Sequence, residues 1–209
     1  MNGLTIAVPR GALMPQTLDL LDGLGVDTSV VRSNDRRLLF GEVGIVTMRP
    51  SDVPTYVEAG AADLGITGKD VLMEQAEREV YELLDLGYGE CRMILATVDG
   101  PDPAEEALRR LGVMRVATKY PKIARDFFER TGRQAEIVEV KGSVELAPLT
   151  GLVEAIVDLT ATGTTLRENG LVEREMLFEA TARLIANPVS HKLKAAAIDD
   201  VVARVRDGG

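Results

Sequence analysis

Short apolar runs alternate with amphipathic segments along almost the whole chain. The runs that predict β-strands are LTIAV (4–8), GIVTM (44–48), DLGIT (63–67), CRMILAT (91–97), MRVAT (114–118), EIVEV (136–140) and AIVDL (155–159). Strand-length runs separated by helix-length segments are typical of α/β proteins with a largely parallel sheet. The pattern therefore predicts the α/β fold class.

Three other segments predict helices with defined ends. PAEEALRRLG begins with acidic residues and ends with arginines before Gly112, an arrangement that complements the helix dipole and supplies a stop. KIARDFFERTG places its apolar residues on one face and ends at Gly132. HKLKAAAIDDVVARVRDGG repeats an apolar residue every four positions from Leu193 to Val205, which predicts one helix that packs an apolar stripe against the fold.

Two glycines in DLGYGECRM mark the best position for a change of subdomain. We expect a second crossing of the chain between about residues 165 and 185, because the final helix would otherwise have no evident partner.

Net charge and hydropathy narrow the possible partners. The 24 Lys and Arg residues against 33 Asp and Glu residues give a formal net charge of −9, whereas nucleic acid or an anionic membrane requires a basic face. We therefore expect neither as a partner. No apolar run is long enough to span a membrane, and MNGLTIAVPRG lacks the features of a secretion signal. These features predict a cytoplasmic location.

The chain has one cysteine and one histidine. Cys91 alone permits no intramolecular disulfide and no multi-thiolate metal site, and its CRMILA context predicts a small buried apolar residue. His191 follows Ser190 at a predicted helix start, where a surface residue near the cap is more common than a ligand. A histidine-dependent triad and a histidine-rich zinc site are therefore disfavoured.

The stretch VDLTATGTTL, residues 157–166, ends a predicted strand at Asp158 and continues as a Thr/Gly turn. Open α/β folds bind ligands at the carboxyl ends of their strands. Gly163 permits close backbone approach, and the hydroxyls of Thr162, Thr164 and Thr165 can donate to a phosphate. The acid before this turn suggests a sugar phosphate whose ribose hydroxyls donate to Asp158. The alternative is a Thr-rich turn that only caps a helix.

The segment GAADLGITGKDVL predicts a second anion site, in which a strand leads through Gly-x-x-Gly, Lys69 and Asp70 into a helix. It is not a Walker loop, because Asp63 and Asp70 stand where that motif requires Gly and Ser or Thr. No G-x-G-x-x-G follows the first strand either. A solvated ion pair of Lys69 and Asp70 is the equal alternative.

Arginines follow two predicted strands. Arg10 ends the first strand and Arg49 follows GIVTM, while Arg32, Arg36 and Arg37 lie in a polar segment before LLF. A guanidinium can bind two phosphate oxygens at once, so arginines at strand ends are candidate phosphate clamps. Ordinary surface salt bridges are the alternative for each of them.

Six segments, in order, resemble those of the ATP phosphoribosyltransferase family in its short form: LTIAVPRGAL, VTMRPSDVPTYVEAGAADLGITGKDVL, DLGYGECRMILA, VATKYPKIARDFF, KGSVELAP and AIVDLTATGTTLRENGL. They span nearly the whole chain, which makes the resemblance far more specific than a single motif. It implies two α/β lobes like those of type II periplasmic binding proteins, with the active site in the cleft between them. Lobe I would comprise residues 1–90 plus about 180–209, and lobe II residues 91–179.

The resemblance also implies which residues bind substrate. The ribose 5-phosphate end of phosphoribosyl pyrophosphate would bind at Asp158, Thr160, Ala161, Thr162, Gly163, Thr164 and Thr165, with Glu145 nearby. The opposite side of the cleft would present Arg10, Arg32, Arg49, Lys69 and Asp70. Two positions depart from the family pattern. An expected cation is missing at Ala12, so that Arg10 must serve alone, and Glu154 replaces the usual aspartate.

The implied reaction is attack by N1 of the adenine of ATP on C1 of phosphoribosyl pyrophosphate, with release of pyrophosphate, as the first step of histidine biosynthesis. The protein's task is to align the substrates and to stabilise the departing anion. Mg²⁺ is expected to share that task, because two polyphosphates carry more charge than a few arginines neutralise. No protein residue is assigned as a metal ligand. No catalytic base is assigned either, because adenine N1 already carries a lone pair.

The short form also implies partners. The sequence leaves no room for a regulatory domain after its last helix, and short members of the family work with a separate subunit that resembles histidyl-tRNA synthetase. We expect a hetero-oligomer with that subunit, built on a homodimer of the catalytic chain. Two alternatives are a non-catalytic solute-binding module, which the lack of an export signal disfavours, and a phosphosugar sensor without turnover.

Overall fold

A computed structural model describes residues 3–34 and 36–208. Residues 1, 2, 35 and 209, which the predicted first lobe and final helical stretch include, lie outside these ranges. The chain divides into two compact units. Unit 1 comprises Met1–Gly89 and Thr181–Gly209, and unit 2 comprises Glu90–Ala180.

Strands and helices alternate through most of both units. Unit 1 begins with β1 (Ile6–Pro9), α1 (Met14–Gly23), α2 (Ser29–Arg32), β2 (Leu39–Phe40), β3 (Ile45–Met48), α3 (Val53–Glu58), β4 (Leu64–Gly68), α4 (Lys69–Glu74) and β5 (Tyr81–Asp85). Unit 2 contains β6 (Cys91–Val98), α5 (Pro103–Leu111), β7 (Met114–Thr118), α6 (Pro121–Thr131), β8 (Ala135–Glu139), α7 (Leu146–Leu149), β9 (Ala155–Thr160), α8 (Thr164–Glu168) and β10 (Leu171–Ala180). The chain returns to unit 1 with β11 (Ala182–Ala186), α9 (Pro188–Leu193) and α10 (Ala195–Arg206).

The six-stranded sheet of unit 1 has the order β2-β3-β1-β4-β11-β5. Its centre is parallel: β1 pairs with β3 from Ile6↔Ile45 to Pro9↔Met48, and with β4 at Ile6↔Leu64. The pairs of β11 with β4 and β5, and of β2 with β3, are antiparallel. The sheet is thus mixed, and the prediction of a largely parallel sheet holds only for its centre.

The five-stranded sheet of unit 2 has the order β10-β6-β9-β7-β8. Here β7 pairs in parallel with β8 and β9, whereas β6 pairs antiparallel with β9 and β10. The carboxyl ends of β7, β8 and β9 therefore share one edge of the sheet, which is where an α/β protein places its ligand.

Apolar residues cover both faces of the central strands, as their uninterrupted apolar runs predict. In unit 1, Ile6 and Val8 pack with α1 and α10 residues on one face, while Ala7 packs with Val53 and Val57 of α3 on the other. In unit 2, a separate cluster that includes Ile94 and Ile156 contacts Leu166 of α8. Each unit therefore has its own core.

Two predicted helices end as the sequence indicates. Gly112 follows α5 with φ of 74°, and Gly132 follows α6 with φ of 68°. This left-handed conformation favours glycine because a side chain would clash there. At the start of α5, the Asp102 carboxylate accepts the amide N–H groups of Ala104 and Glu105.

The prediction of one continuous final helix is wrong. The segment breaks at Lys194 into α9 and α10, and Leu193 is 80% exposed rather than part of a packed stripe. Lys194 leaves the helical path and donates from Nζ to Asp63 Oδ2 and to the carbonyl of Gly3, both at 2.8 Å. The packed stripe begins after this break and buries Ile198 and Val201.

The cysteine prediction is also wrong in its degree of burial. Cys91 is only partly buried, because it begins β6 at the crossing between the units, and its Sγ contacts the carbonyl of Ala180 at 3.5 Å. Within the part of the chain that the structure describes, no helix has both the length and the apolar character needed to cross a bilayer.

Candidate active site

The Thr/Gly stretch forms a tight loop between β9 and α8. Gly163 stands at the N-cap position of α8 with φ of 70° and ψ of 8°. Its amide donates to Thr160 Oγ1 at 2.9 Å, which closes the loop on the last residue of β9. Helix α8 spans only five residues, so its dipole is small, but the amides of its first turn have no intrahelical acceptor. Thr165 and Leu166 contribute such amides.

A cavity of about 230 Å³ opens beside this loop within unit 2. Its lining is a carboxylate pair, a set of threonines and a few apolar residues: Ile94, Glu145, Asp158, Leu159, Thr160, Ala161, Thr162, Thr164, Thr165 and Leu166. The structure thus brings together seven of the eight positions that sequence reasoning assigned to this end of the substrate. The cavity has hydrogen-bond acceptors at its carboxylates and donors at its hydroxyls and amides.

The eighth position, Gly163, does not belong to the cavity lining. A Cβ at this position would lie 3.1 Å from Nη1 of Arg167, on the side of the loop that this arginine covers. The structural requirement for glycine is therefore its positive φ rather than close approach of its backbone to a ligand.

Asp158 lies in β9 and is 8% exposed. Burial, together with the negative charge of Glu145, raises the pKa of Asp158, although the amide of Leu159 and the ammonium group of Lys119 favour the ionised form. The Leu159 amide donates to Asp158 Oδ1 at 2.9 Å, and Lys119 Nζ lies 3.6 Å from Oδ2. This carboxylate is poorly solvated and gains from hydroxyl donors that enter the cavity.

Sequence reasoning missed Lys119. Register places it there, because β7 and β9 run parallel with Thr118 opposite Val157, so the next residue of each strand lies at the same edge. The signal that could have found Lys119 is its position directly after a predicted strand, the same signal that selected Arg10 and Arg49.

Glu145 reaches the same edge from the segment that follows β8. It is the N-cap residue of the four-residue helix α7 and is partly buried. Its neighbour Val144 is fully buried in the unit 2 core, which fixes the segment. The resemblance placed Glu145 near the phosphate loop, and the structure brings it into the same cavity.

The predicted cations of unit 1 follow three adjacent parallel strands. Arg10 follows β1, Arg49 follows β3 and Lys69 follows β4. The amide of Arg10 donates to the carbonyl of Met48 at 2.7 Å, which places the first two side by side. Arg49 is exposed and Arg10 is partly buried. The carboxyl edge of this sheet therefore presents three basic residues.

The residues of Gly-x-x-Gly-Lys-Asp have separate structural roles. A Cβ at Gly65 would lie 2.6 Å from Val53, so this glycine permits α3 to pack closely on β4. Gly68 leaves room for the carboxylate of Asp70, which is 6% exposed. Lys69 Nζ donates to Glu82 Oε2 at 2.7 Å. Packing thus accounts for both glycines, while Lys69 stays at the sheet edge with an acidic neighbour.

Arg32, the remaining predicted cation, is already paired with two acidic residues of α1. Its Nη2 contacts Asp19 Oδ1 at 2.7 Å and Asp22 Oδ2 at 2.8 Å, and its Nε donates to Thr28 Oγ1 at 3.0 Å. The hydrogen bonds to Asp22 and Asp19 raise the pKa of Arg32. A ligand phosphate would have to compete with two carboxylates for this guanidinium.

Glu154, which replaces the aspartate usual in the family, lies at the opposite end of β9 from the cavity. Although burial opposes its ionisation, hydrogen bonds from the side chain and amide of Arg115 hold the pKa of Glu154 below its ordinary value. The Arg115 amide donates to Glu154 Oε2 at 2.6 Å. The structure therefore gives Glu154 a role in joining β7 to β9. The Ala12 departure lies between β1 and α1, and nothing in the described residues explains it.

No group of three or more His, Cys, Asp or Glu residues suited to a metal ion occurs in residues 3–34 and 36–208. A metal held at the cavity would therefore need most of its ligands from substrate and water. This fits Mg²⁺, which keeps several waters and binds through one or two carboxylates plus substrate phosphates.

The fold defines an α/β protein of the type II periplasmic-binding-protein class, and one unit contains a cavity lined by carboxylates and threonine hydroxyls. Among solved structures, it is similar to the aliphatic sulphonate binding protein SsuA of Escherichia coli, with a TM-score of 0.59 at 14% identity over 98% of this chain and 71% of that one. At this identity the likeness concerns the fold alone.

Residues 49–207 match the family described as ATP phosphoribosyltransferase. Relatives of that name from Rubrobacter xylanophilus and Ruminiclostridium cellulolyticum are 53% and 44% identical, over 100% and 99% of this chain and 98% and 97% of theirs. The ATP phosphoribosyl transferase (HisG:HisZ) complex from Thermotoga maritima contains a chain with a TM-score of 0.81 and 32% identity, covering 98% of this chain and 97% of that one. The chain belongs to the ATP phosphoribosyltransferase family of transferases, which confirms the predicted family, short form and fold class.

Proposed function

We propose that the chain transfers the phosphoribosyl group of phosphoribosyl pyrophosphate to N1 of ATP and releases pyrophosphate, as the first step of histidine biosynthesis. The observation that carries the proposal is the unit 2 cavity, in which the acceptor Asp158 and the donor threonines lie on one small surface. A ribose 5-phosphate has the matching chemistry, because its hydroxyls donate and its phosphate accepts.

In this proposal, Asp158 accepts from the ribose hydroxyls and thereby regains hydrogen bonds that burial has removed. Glu145 is a second acceptor at the same edge. The hydroxyls of Thr160 and Thr162, and the amides of the first turn of α8, hold the 5-phosphate, and Thr164 lines the same surface. The two ends of the sugar phosphate are thus fixed, which orients C1 toward the attacking nitrogen.

The cations at the strand ends of unit 1, Arg10, Arg49 and Lys69, are proposed to bind the polyphosphate parts of the substrates. Each is a charge-assisted donor that strengthens as negative charge develops on the departing pyrophosphate. Asp70 and Arg32 are proposed to support this surface. The existing pairs of Arg32 with Asp19 and Asp22 and of Lys69 with Glu82 would then exchange for contacts with phosphate.

Mg²⁺ is the proposed cofactor, with Asp158 and Glu145 as the carboxylates that the cavity lining offers. When bound to the substrate phosphates, Mg²⁺ would neutralise part of their negative charge. The protein residues need no proton transfer at adenine N1, because that nitrogen attacks through its lone pair.

The proposed setting is the cytoplasm, in a hetero-oligomer built on a homodimer of this chain. Support for the partner comes from the similar Thermotoga maritima structure, which is a HisG:HisZ complex. A regulatory subunit that resembles histidyl-tRNA synthetase would supply the response to histidine.

The decisive experiment incubates the purified chain, with and without the regulatory subunit, with ATP, phosphoribosyl pyrophosphate and Mg²⁺. We expect a product that absorbs as N1-substituted adenine, one pyrophosphate per product, and dependence on all three additions. Binding of phosphoribosyl pyrophosphate without any turnover in the complete mixture would instead support a solute-binding module or a sensor.

A further inference from the structure

Arg167 lies on α8 outside the cavity and contacts the Thr/Gly loop from its far side. Its Nη1 donates to the carbonyl of Thr162 at 3.0 Å, and its Nη2 donates to Thr164 Oγ1 at 3.1 Å. The side chain is exposed and is not part of the cavity lining. One guanidinium therefore holds both the backbone of the loop and one of the hydroxyls that face the cavity.

The contacts of Arg167 give the loop hydroxyls a direction. A guanidinium has only donors, so Thr164 Oγ1 must accept from it. Thr164 Oγ1 lies 3.0 Å from Thr162 Oγ1, and the proton of Thr164 can be donated to that oxygen. Thr162 Oγ1 also receives the Thr164 amide at 3.4 Å. With its lone pairs so engaged, the Thr162 hydroxyl has its own proton left for a ligand.

The hydroxyl of Thr160 is oriented in the same way by a donor within the loop. Its Oγ1 accepts the amide of Gly163 at 2.9 Å, which again leaves the hydroxyl proton for donation. Thr160 and Thr162 both line the cavity. A surface of oriented donors suits a ligand group that only accepts hydrogen bonds, such as a phosphate ester in its dianionic form.

We infer that Arg167 is a positioning residue, which orients the Thr162 hydroxyl through that of Thr164 so that Thr162 donates to the phosphate of the substrate. The inference rests on the proposed function, because it names a residue that serves the same phosphate. Arg167 acts through Thr164, whose hydroxyl connects the guanidinium to the hydroxyl of Thr162.

The test is a double-mutant cycle of Arg167→Met and Thr164→Val, with binding of ribose 5-phosphate measured by calorimetry. Each single variant is expected to weaken binding by roughly tenfold, since each removes the oriented donor. The double variant is expected to bind no more weakly than Thr164→Val alone, to within about twofold, because the two residues act through one hydroxyl. Thr164→Ser, which keeps the hydroxyl, is expected to restore the dependence on Arg167.

A role limited to bracing the loop gives a different result, because Arg167→Met would then weaken binding equally with and without the Thr164→Val substitution. Additive effects of the two substitutions, or wild-type binding by either single variant, would overturn the inference. Arg110→Met is the matched control, because Arg110 is an exposed helix arginine that pairs with Glu106 four residues earlier. In steady state, KM for phosphoribosyl pyrophosphate should rise in Arg167→Met while KM for ATP stays unchanged.

The inference and the proposed function fail in distinguishable ways. Absence of ribose 5-phosphate binding by the wild-type protein, with phosphoribosyl pyrophosphate also unbound, would remove the proposed function and the inference together. Normal wild-type binding combined with additive variants would remove only the role of Arg167.

Discussion

Lys119 Nζ lies 3.6 Å from Asp158 Oδ2, at the carboxyl ends of two adjacent parallel strands. This pair places an ammonium group beside a carboxylate that the fold has largely buried. The distance is longer than that of a direct hydrogen bond, so Lys119 acts on Asp158 mainly through its charge.

Removal of that charge is expected to change the pH dependence of substrate binding. Lys119 favours the ionised form of Asp158, so Lys119→Met should raise the pKa of Asp158 further. Because the ionised carboxylate is the better acceptor, the acid limb of phosphoribosyl pyrophosphate binding should move to higher pH. Lys119→Arg keeps the charge and serves as the control. The same acid limb in both variants would contradict the coupling.

Asp158→Asn is expected to separate affinity from stability. Loss of charge-assisted hydrogen bonds to ribose should weaken binding of phosphoribosyl pyrophosphate by about 10- to 150-fold, equivalent to about 1.5–3 kcal/mol. The substitution should not lower the folding stability. Burial raises the pKa of Asp158 above its ordinary 3.8, so folding stability of the wild type declines as pH rises from 3.8 through the raised value.

The variant lacks this titration, so its Tm at pH 7 should equal or exceed that of the wild type. Calorimetric scans from pH 4 to pH 7 measure the difference, which should grow with pH. Asp126→Asn, which alters an exposed acid of α6 paired with Lys122, is the control. A lower Tm for Asp158→Asn at pH 7 would contradict the expected destabilising role of the ionised carboxylate.

Gly163→Val is expected to damage both stability and donor binding. A non-glycine residue with φ of 70° costs about 1–2 kcal/mol, and relief of that strain would move the loop that lines the cavity. Gly112→Val provides a matched control, because Gly112 has φ of 74° with open space at its Cβ position and lies at the end of α5. Chemical denaturation should give similar losses for the two variants.

Only Gly163→Val should also reduce affinity for phosphoribosyl pyrophosphate. Equal, normal affinity in both valine variants would limit Gly163 to the role of a turn residue, without influence on the binding surface.

Asp63 is expected to be a stability residue. It is 6% exposed and accepts the Thr5 amide at 2.8 Å, the Ser190 hydroxyl at 2.6 Å and Lys194 Nζ at 2.8 Å. Burial alone would raise its pKa, but these donors lower it below 3.8. The associated stability is therefore present above pH 3.8 and is lost as pH falls through the lowered value.

Asp63→Ala should lower the free energy of unfolding at pH 7 by roughly 1.5–3 kcal/mol or more, as measured in urea. Asp199→Ala, on an exposed position of α10, should change it little. If Asp63→Ala unfolds at the same urea concentration as the wild type, the hydrogen bonds from Ser190 and Lys194 do not stabilise the packing of the C-terminal helices.

The isolated chain is expected to be weakly active or inactive and insensitive to histidine. Feedback by histidine would then require a second protein whose bound state shifts the chain's equilibrium, a coupling typically of about 1–3 kcal/mol. Titration with histidine, with and without the histidyl-tRNA-synthetase-like subunit, measures this. Strong inhibition of the chain alone would overturn the expectation.

Periodicity and turn residues predict much of this fold, because the central strands are buried on both faces and read as continuous apolar runs. They do not predict the edge strand β10, LVEREMLFEA, since it is largely polar and owes its conformation to pairing with β6. Likewise, the helix breaks next to Leu193 where Lys194 contacts Asp63. This contact joins residues far apart in sequence, so the local pattern of apolar residues cannot predict it.

Some residues of the candidate site can be predicted from the local sequence, and others only from tertiary contacts. The carboxylate and threonines of one continuous loop could be found from the sequence, because their spacing is local. Lys119 could not be assigned with the same ease, since its nearness to Asp158 depends on which strands are neighbours and in what register. The pairs that Arg32 makes with Asp19 and Asp22 are also tertiary, so a list of cations does not reveal which are already engaged.

Strand β11 lies between β4 and β5 in the sheet of unit 1, and it comes from the chain after unit 2. Gly68 thus pairs with Ala182, more than a hundred residues later. During synthesis, the contiguous unit 2 can fold before β11, the strand that pairs with β5, has been made. Pairing at such long sequence separation is slow, so unit 1 must pass through a period with unsatisfied strand edges. The segment that completes the sheet of unit 1 is therefore synthesised after unit 2, and until it pairs, the exposed edges of β4 and β5 are the part of the chain most prone to aggregation.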